Sequence, residues 1–201
     1  MGNAQSVVGP FFCAEIASVP SGYQALNVLT QGEGVEILEA SPIGARRFLI
    51  LALGQETSLK QQVQELKTSF EGHALSSESK MIDQAFIDQV DSSVIESAFS
   101  LTQVNLEESL VALECATVSG LLSVAHVLTR DHGLKVIETR ITRSGLGGGF
   151  ALFTGTSEAC APAAEDARTH LKNAMREGTV EVIEAPTETF RSYFNFSGDH
   201  S

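Results

Sequence analysis

The chain has 201 residues, 43% of them apolar and 19% charged, which leaves room for one ordinary domain or two small ones around a packed core and argues against global disorder. Thirteen Lys and Arg stand against 25 Asp and Glu, a net charge of −12; this excludes general binding to nucleic acid or to an anionic membrane surface, because neutralising phosphates takes clustered cations. No apolar run reaches the roughly 18 residues of a membrane span, residues 1–10 lack a charged-then-apolar leader, and three widely spaced cysteines give no disulfide framework, so a cytoplasmic location is expected.

Met1-Gly2-Asn3-Ala4-Gln5-Ser6 fits the M-G-x-x-x-[ST] acylation pattern, but no basic patch follows to reinforce a single lipid chain. Residues 1–10, and 197–201 at the far end, read as flexible tails. Residues 11–19 are apolar and partly alternating, which predicts a strand. Ser21 is a candidate N-cap, and Tyr23, Leu26 and Leu29 recur at helical spacing up to Gly32 and Gly34. Val35–Ala40 predicts a short strand, Pro42–Gly44 a loop, and Phe48–Leu53 a buried strand running into Gly54. Leu59, Val63 and Leu66, at i, i+4 and i+7, mark a second amphipathic helix. A strand over Lys80–Ala85 and a helical stretch over Val90–Phe99 follow.

The same order then returns. Ser109–Thr117 predicts a strand, and Leu121, Leu122, Ala125 and Leu128 the apolar face of a helix. Leu134–Arg140 and Phe150–Thr154 read as strands on either side of a glycine-rich loop. Ser157 is a candidate N-cap for a helix to about Met175, with Pro162 tolerated near its start. Thr179–Glu184 predicts a strand and Thr187–Phe194 a short terminal helix.

The repetition is visible residue by residue. Glu15-Ile16-Ala17-Ser18-Val19 aligns with Glu114-Cys115-Ala116-Thr117-Val118 at an offset of 99. The same offset pairs Val28-Leu29-Thr30 with Val127-Leu128-Thr129, Gly34 with Gly133, and Glu39 with Glu138. After a loop two residues longer in the second copy, an offset of 101 pairs Leu51 with Leu152, Gly54 with Gly155 and Ile82 with Ile183. The chain therefore reads as two tandem α/β domains, over 11–103 and 104–196. Each is strand–helix–strand–strand–helix–strand plus a short helix, an α+β sandwich with helices on one antiparallel sheet. About 95 residues per copy suffice for a small core, and association is expected to help.

Chemical motifs are sparse. Arg143-Ser144-Gly145-Leu146-Gly147-Gly148-Gly149 lacks a Gly-Lys-[Ser/Thr], does not match G-x-G-x-x-G, and leads into a strand rather than a helix; it reads as a close approach of backbones, not a phosphate cradle. His126 and His132, six apart, share no helical face and form no metal-ligand spacing with Cys115. Cys115 has no neighbouring cation in sequence and reads as a buried, inert thiol. No G-x-S-x-G or H-E-x-x-H occurs, so neither catalysis nor a cofactor or metal is expected. The basic residues are more suggestive. Arg46 and Arg47 in the first copy, and Arg140 and Arg143 in the second, are 4 of the 13 cations and stand at matching inter-strand loops. They are either solvated strand ends or a locally positive mouth that attracts anions.

The motif Glu-x-Ala-x-Val, an amphipathic helix, a short strand, a small Gly/Ser loop, a strand ending in Gly and a second helix resemble the bacterial microcompartment shell domain. The second copy, from Glu114 through Ser144-Gly145 to Val182-Ile183 and Pro186, is the nearer match. Two copies in one chain resemble the tandem-domain shell proteins. The resemblance implies a homotrimer whose six domains form a pseudohexameric tile of a shell, partnered by other shell proteins, with a pore that passes small metabolites. It implies pore-lining loops at Gly44, Ala45 and Arg46 and at Gly145, Leu146 and Gly147, with Arg47, Arg140 and Arg143 nearby. Those arginines would favour anionic metabolites. Some tandem members hold an iron–sulfur cluster through pore-loop cysteines; neither loop here has one, so no cluster is expected. The family's tile-edge lysine falls at Gln31 and Arg130, and its edge arginine at Gln84 and Ala185, which weakens side-by-side packing of tiles. A soluble trimeric ligand-binding or regulatory protein of the same duplicated fold is the alternative.

Overall fold

Alternating apolar strands and two-faced helices build the same layered unit twice. The computed structural model describes residues 7–44, 46–71, 80–99, 104–143 and 147–192. In the first half these are β1 (Val7–Val8), β2 (Phe11–Ala17), α1 (Val19–Leu29), β3 (Val35–Ile43), β4 (Arg47–Gly54), α2 (Glu56–Glu71), β5 (Met81–Ile87), β6 (Val90–Asp91) and α3 (Ser92–Phe99). The second half has β7 (Ser109–Cys115), α4 (Val118–Arg130), β8 (Lys135–Ile141), β9 (Gly149–Gly155), α5 (Ser157–Asn173), β10 (Gly178–Glu184) and α6 (Glu188–Ser192).

Two four-stranded antiparallel sheets have the same order, β3-β4-β2-β5 and β8-β9-β7-β10. Their irregularities also match: the β3–β4 ladder slips between Ile37 and Glu39, and the β8–β9 ladder between Val136 and Glu138, 99 residues on. A bulge adds a residue and sharpens the local twist, so a shared bulge is a stronger mark of duplication than shared side chains. The register confirms Leu51 against Leu152 and Gly54 against Gly155. It corrects Ile82. Ile87 sits opposite Phe11 and Ile183 opposite Leu110, so Ile87 is the partner of Ile183. The offset changes because nine residues, 72–80, separate α2 from β5, whereas four, 174–177, separate α5 from β10.

Local signals differ from the sequence reading in several places. Ser21 is buried inside α1, which starts at Val19 with Pro20 in its first turn; Ser18 stands at the cap with φ 85° and makes no side-chain capping bond. Thr156, not Ser157, caps α5 by accepting from the Ala159 amide, and Pro162 lies in the second turn. Thr117 caps α4 through the Gly120 amide. β3 runs on through Pro42 to Ile43, since an edge strand tolerates a missing amide donor. Val7 and Val8, expected in a tail, pair with Asp91 and Val90. The remaining tail residues 1–6 and 197–201, the domain ends at 103 and 196, and the expected helix residues 193–194 lie outside the described residues.

The two cores are unequal. One, made of Phe12, Ala14, Ile16, Phe48, Ile50 and Ala52 against Ala25, Leu29, Leu59, Val63 and Leu66, belongs wholly to the first repeat. The other spans both repeats. It includes the opposite face of β2 and β4 (Phe11, Cys13, Leu49, Leu51), together with Ile87, and the helix α4. Helix α4 is buried nearly all round, at Val118, Leu121, Leu122, Val124, Ala125 and Leu128, as expected of a helix packed between two sheets rather than on one.

Candidate functional site

The loop between β3 and β4 is short and the matching loop between β8 and β9 is long, and Gly147 of the second lies against the strand ends that flank the first. A Cβ built on Gly147 would lie 3.2 Å from Arg47 Nη1 and 3.6 Å from Ile43 Cδ1. Gly148, at φ +79°, passes so near Cys115 that a Cβ would meet its carbonyl oxygen at 2.3 Å. The glycine run is therefore a backbone crossing, as its lack of a phosphate signature predicts. Of the expected loop residues, Gly44 is half-buried, Arg46 is exposed at φ 63°, and Gly147 is half-buried; Ala45, Gly145 and Leu146 lie outside the described residues.

The arginines are not equivalent. Arg47 is the first residue of β4, and its Nη1 donates to Glu15 Oε2 at 3.3 Å and to the Ala116 carbonyl at 3.2 Å. Arg140 lies within β8, opposite Phe150, rather than in a loop, and pairs with Glu138. Arg143 reaches back to the first repeat and holds Glu39 with both Nη atoms, Nη2 at 2.9 Å from Oε2, and also donates to Ser41 at 3.0 Å. Burial pushes the Glu39 carboxyl up, but the Arg143 and Ser41 hydrogen bonds outweigh it and hold the group below its ordinary range. Arg46 has no carboxylate partner among the described residues. Three of the four cations thus have carboxylate partners where they stand, and Arg46 is the one without such a partner among the described residues.

A second cluster fills the junction between the repeats. Glu15 is fully buried. Its Oε1 accepts from the Val118 and Ser119 amides at the start of α4, while Arg47 holds Oε2. Burial pushes this carboxyl above its ordinary range in spite of those donors, because taking charge from water costs more than three hydrogen bonds return. Beside it Cys13 Sγ lies 3.3 Å from Ser119 Oγ. Asp83 accepts from Thr117 Oγ1 at 2.6 Å and from Arg176. Further out Ser97 of α3 bonds Thr139 of β8 at 2.8 Å.

The same architecture occurs among solved structures. A microcompartments protein from Desulfitobacterium hafniense DCB superposes with a TM-score of 0.75 at 18% identity, over 92% of this chain and 99% of that one. This is the bacterial microcompartment shell-type fold. No protein-family model matches the chain, and no curated protein does. A chlorite dismutase from Candidatus Nitrospira defluvii (9% identity, TM-score 0.33, 96% of each chain) and the aspartate kinase from Synechocystis (7%, 0.31, 91% of this chain and 45% of that one) overlap too weakly to carry an argument.

Within the microcompartment-type repeats, the expected edge positions scatter. Gln31 and Arg130, matched by offset, are both exposed at the ends of α1 and α4. Gln84 is displaced: it lies inside β5 opposite Ala14, and its Oε1 is buried without a partner among the described residues. Ala185, exposed at φ 42°, does follow the last strand, and by register its partner in the first repeat is Gln89. The error is the changed offset after α2, which a reading of identities alone does not see.

No helix of the described chain is long and apolar enough to cross a membrane. Cys13, Cys115 and Cys160 are buried thiols, each pushed up by burial, Cys115 to about 12; Arg176, near Cys115, only moderates this. His170 accepts or donates at Ser123 Oγ over 2.8 Å on the α4–α5 seam, and burial lowers both His170 and His126. The junction cluster is the feature sequence reasoning missed. Its one visible sign was Glu15 and Glu114 at equivalent places inside apolar strands.

Proposed function

We propose that the chain is a structural tile of a bacterial microcompartment shell, in which three copies close into a pseudohexameric ring around an opening for small metabolites. One observation carries this: equivalent surfaces of the two repeats are unequally covered. On the first sheet Cys13, Glu15, Leu49, Leu51 and Ile87 are buried against the second repeat, chiefly under α4. The positions matching them by register are Ala112, Glu114, Phe150, Leu152 and Ile183, and all are exposed or half-exposed, Phe150 to 40%.

The complementary surface is bare as well. Helix α1 matches α4, yet Tyr23, in the place of fully buried Leu122, is 56% exposed, and Val19 and Leu26 are half-buried. Terminal helix α6 has no buried residue, whereas its counterpart α3 packs on β8. Each chain therefore shows one finished junction and both halves of an unfinished one. Seating α1 of one copy on the second sheet of the next repeats the finished contact head to tail, a contact that makes a ring when the rotation between copies closes. Burying the parts of Phe150, Leu152 and Tyr23 that are still exposed would contribute on the order of 1 kcal/mol each.

In this ring Gly44 and Arg46 of the first repeat and Gly147 of the second would surround the axis, and three Arg46 side chains would favour small anions over cations. The chain acts as a barrier and passage, not as a catalyst, with copies of itself and other shell proteins as its partners. Native mass spectrometry followed by electron microscopy tests the reading. A mass of three chains and six-lobed rings is expected for the native chain, and a folded single chain for Leu152→Lys. A native chain that stays single at micromolar concentration overturns it.

A further inference from the structure

The finished junction is held by ions, and its unfinished counterpart lacks them. Around Glu15 stand Arg47, the amides of Val118 and Ser119, and the Asp83–Arg176 pair. Around Glu114, the residue in the place of Glu15, Gly148 replaces Arg47 and Thr179 replaces Asp83, by strand register. The helix start offered by a second copy is Val19-Pro20 in place of Val118-Ser119. Proline has no amide hydrogen, so one of the two backbone donors is gone.

The other charges on the described residues do not make up the loss. On its own sheet Glu114 lies between Phe150 of β9 and Thr179 of β10. The charged side chains of that face are Glu181, which is acidic, Glu138 and Arg140, which hold each other, and Lys135, which holds Glu107 at 2.6 Å. Incoming α1 carries Tyr23 as its sole ionisable side chain. The backbone bonds Ala17 N to Lys80 O and Ala116 N to Glu177 O match Lys80 with Glu177. Lys80 would stand where Glu177 is exposed at the finished junction, at the rim and screened by solvent.

We infer that Glu114 takes up a proton when three chains close, so that ring assembly is favoured in acid and weakened toward alkaline pH. This rests on the ring reading above. Burial with few donors disfavours the ionised carboxylate. Glu15, better served, is already pushed above its ordinary range, and Glu114 has the same burial in prospect with fewer partners. A carboxyl whose value rises on assembly binds its proton more tightly in the ring. Assembly is then strongest below the free carboxyl's value and weakens as pH rises through the assembled one. The slope is at most about tenfold in affinity per pH unit at each chain–chain junction.

The experiment is sedimentation equilibrium of the full chain and of Glu114→Gln between about pH 5 and pH 8 at fixed ionic strength. The native chain should assemble more weakly by at least tenfold at the alkaline end. Glu114→Gln, an uncharged mimic of the protonated acid, should assemble at the alkaline end as tightly as the native chain does in acid. Glu114 is exposed in the single chain, so this variant tests assembly rather than folding. A native ring equally tight across the range overturns the inference while leaving the ring intact, and so does a Glu114→Gln ring with the native slope. Single chains at every pH, in both proteins, overturn the ring reading and this inference together.

Discussion

Asp83 and Arg176, 93 residues apart in sequence, meet as a two-pronged ion pair, Nε to Oδ2 at 3.0 Å and Nη2 to Oδ1 at 3.0 Å. Arg176 also donates to the Gln84 carbonyl at 2.7 Å, so one side chain fastens β5 of the first repeat to the second. Only 13% of the Arg176 side chain and 16% of the Asp83 side chain are exposed, too little for solvent to replace a lost partner. Asp83→Ala should therefore destabilise the chain by about 3 kcal/mol, because it strands a buried cation. Chemical denaturation measures this, and a loss no larger than that of an exposed surface pair would show the bond to be incidental.

The two junction carboxylates should respond oppositely to pH. Glu15 is raised by burial, so its contribution is full below the ordinary carboxylate value and is lost as pH rises through its folded value. Glu39, desolvated but held down by Arg143 and Ser41, contributes above the ordinary value and loses that contribution as pH falls through its lowered one. Urea midpoints across pH 3–8 should flatten on the neutral side in Glu15→Gln and on the acid side in Glu39→Gln. The same residual profile in both variants would contradict the assignment.

Gly148 offers a test of the backbone crossing. Its φ of +79° and the 2.3 Å approach to the Cys115 carbonyl oxygen leave no place for a methyl group. Gly148→Ala should cost at least about 2 kcal/mol, from left-handed strain together with the forced separation of two strands. Thermal unfolding gives the answer directly; an unchanged midpoint would mean the loop can move aside.

Passage of small anions separates the arginines. Arg46 has no acidic partner among the described residues, whereas Arg143 is spent on Glu39. Arg46→Ala should lower binding or permeation of a small carboxylate several-fold, and Arg143→Ala should change it by less than a factor of about two while reducing stability. Equal effects on passage would return the charge to the whole group.

Much of the fold was legible because it is written twice. The continuous apolar run Phe48–Leu53 and the spacing of Leu59, Val63 and Leu66 gave a buried strand and a helix within a few residues. Failures fell where the two copies stop being colinear: an insertion after α2 moved Gln84 from a turn into a strand. The arginines were found, but not their partners. Arg143 and Glu39 are 104 residues apart, and no local pattern announces a contact of that range. Nor could sequence separate Glu15 from Glu114, since identical residues at identical places in a strand are told apart by the strands and helices that pack round them, which lie far off in sequence.

Helix α4 lies under the first sheet as well as on its own. A ribosome finishing the first repeat at Phe99 has made a domain whose Phe11, Leu49, Leu51 and Ile87 lack their main cover until synthesis passes Arg130. At typical elongation rates that interval is roughly 2–6 seconds. Covalent tandem order makes the second repeat a chaperone in cis for the first, and it predicts that a message cut after the first repeat yields an aggregating product rather than half a working protein.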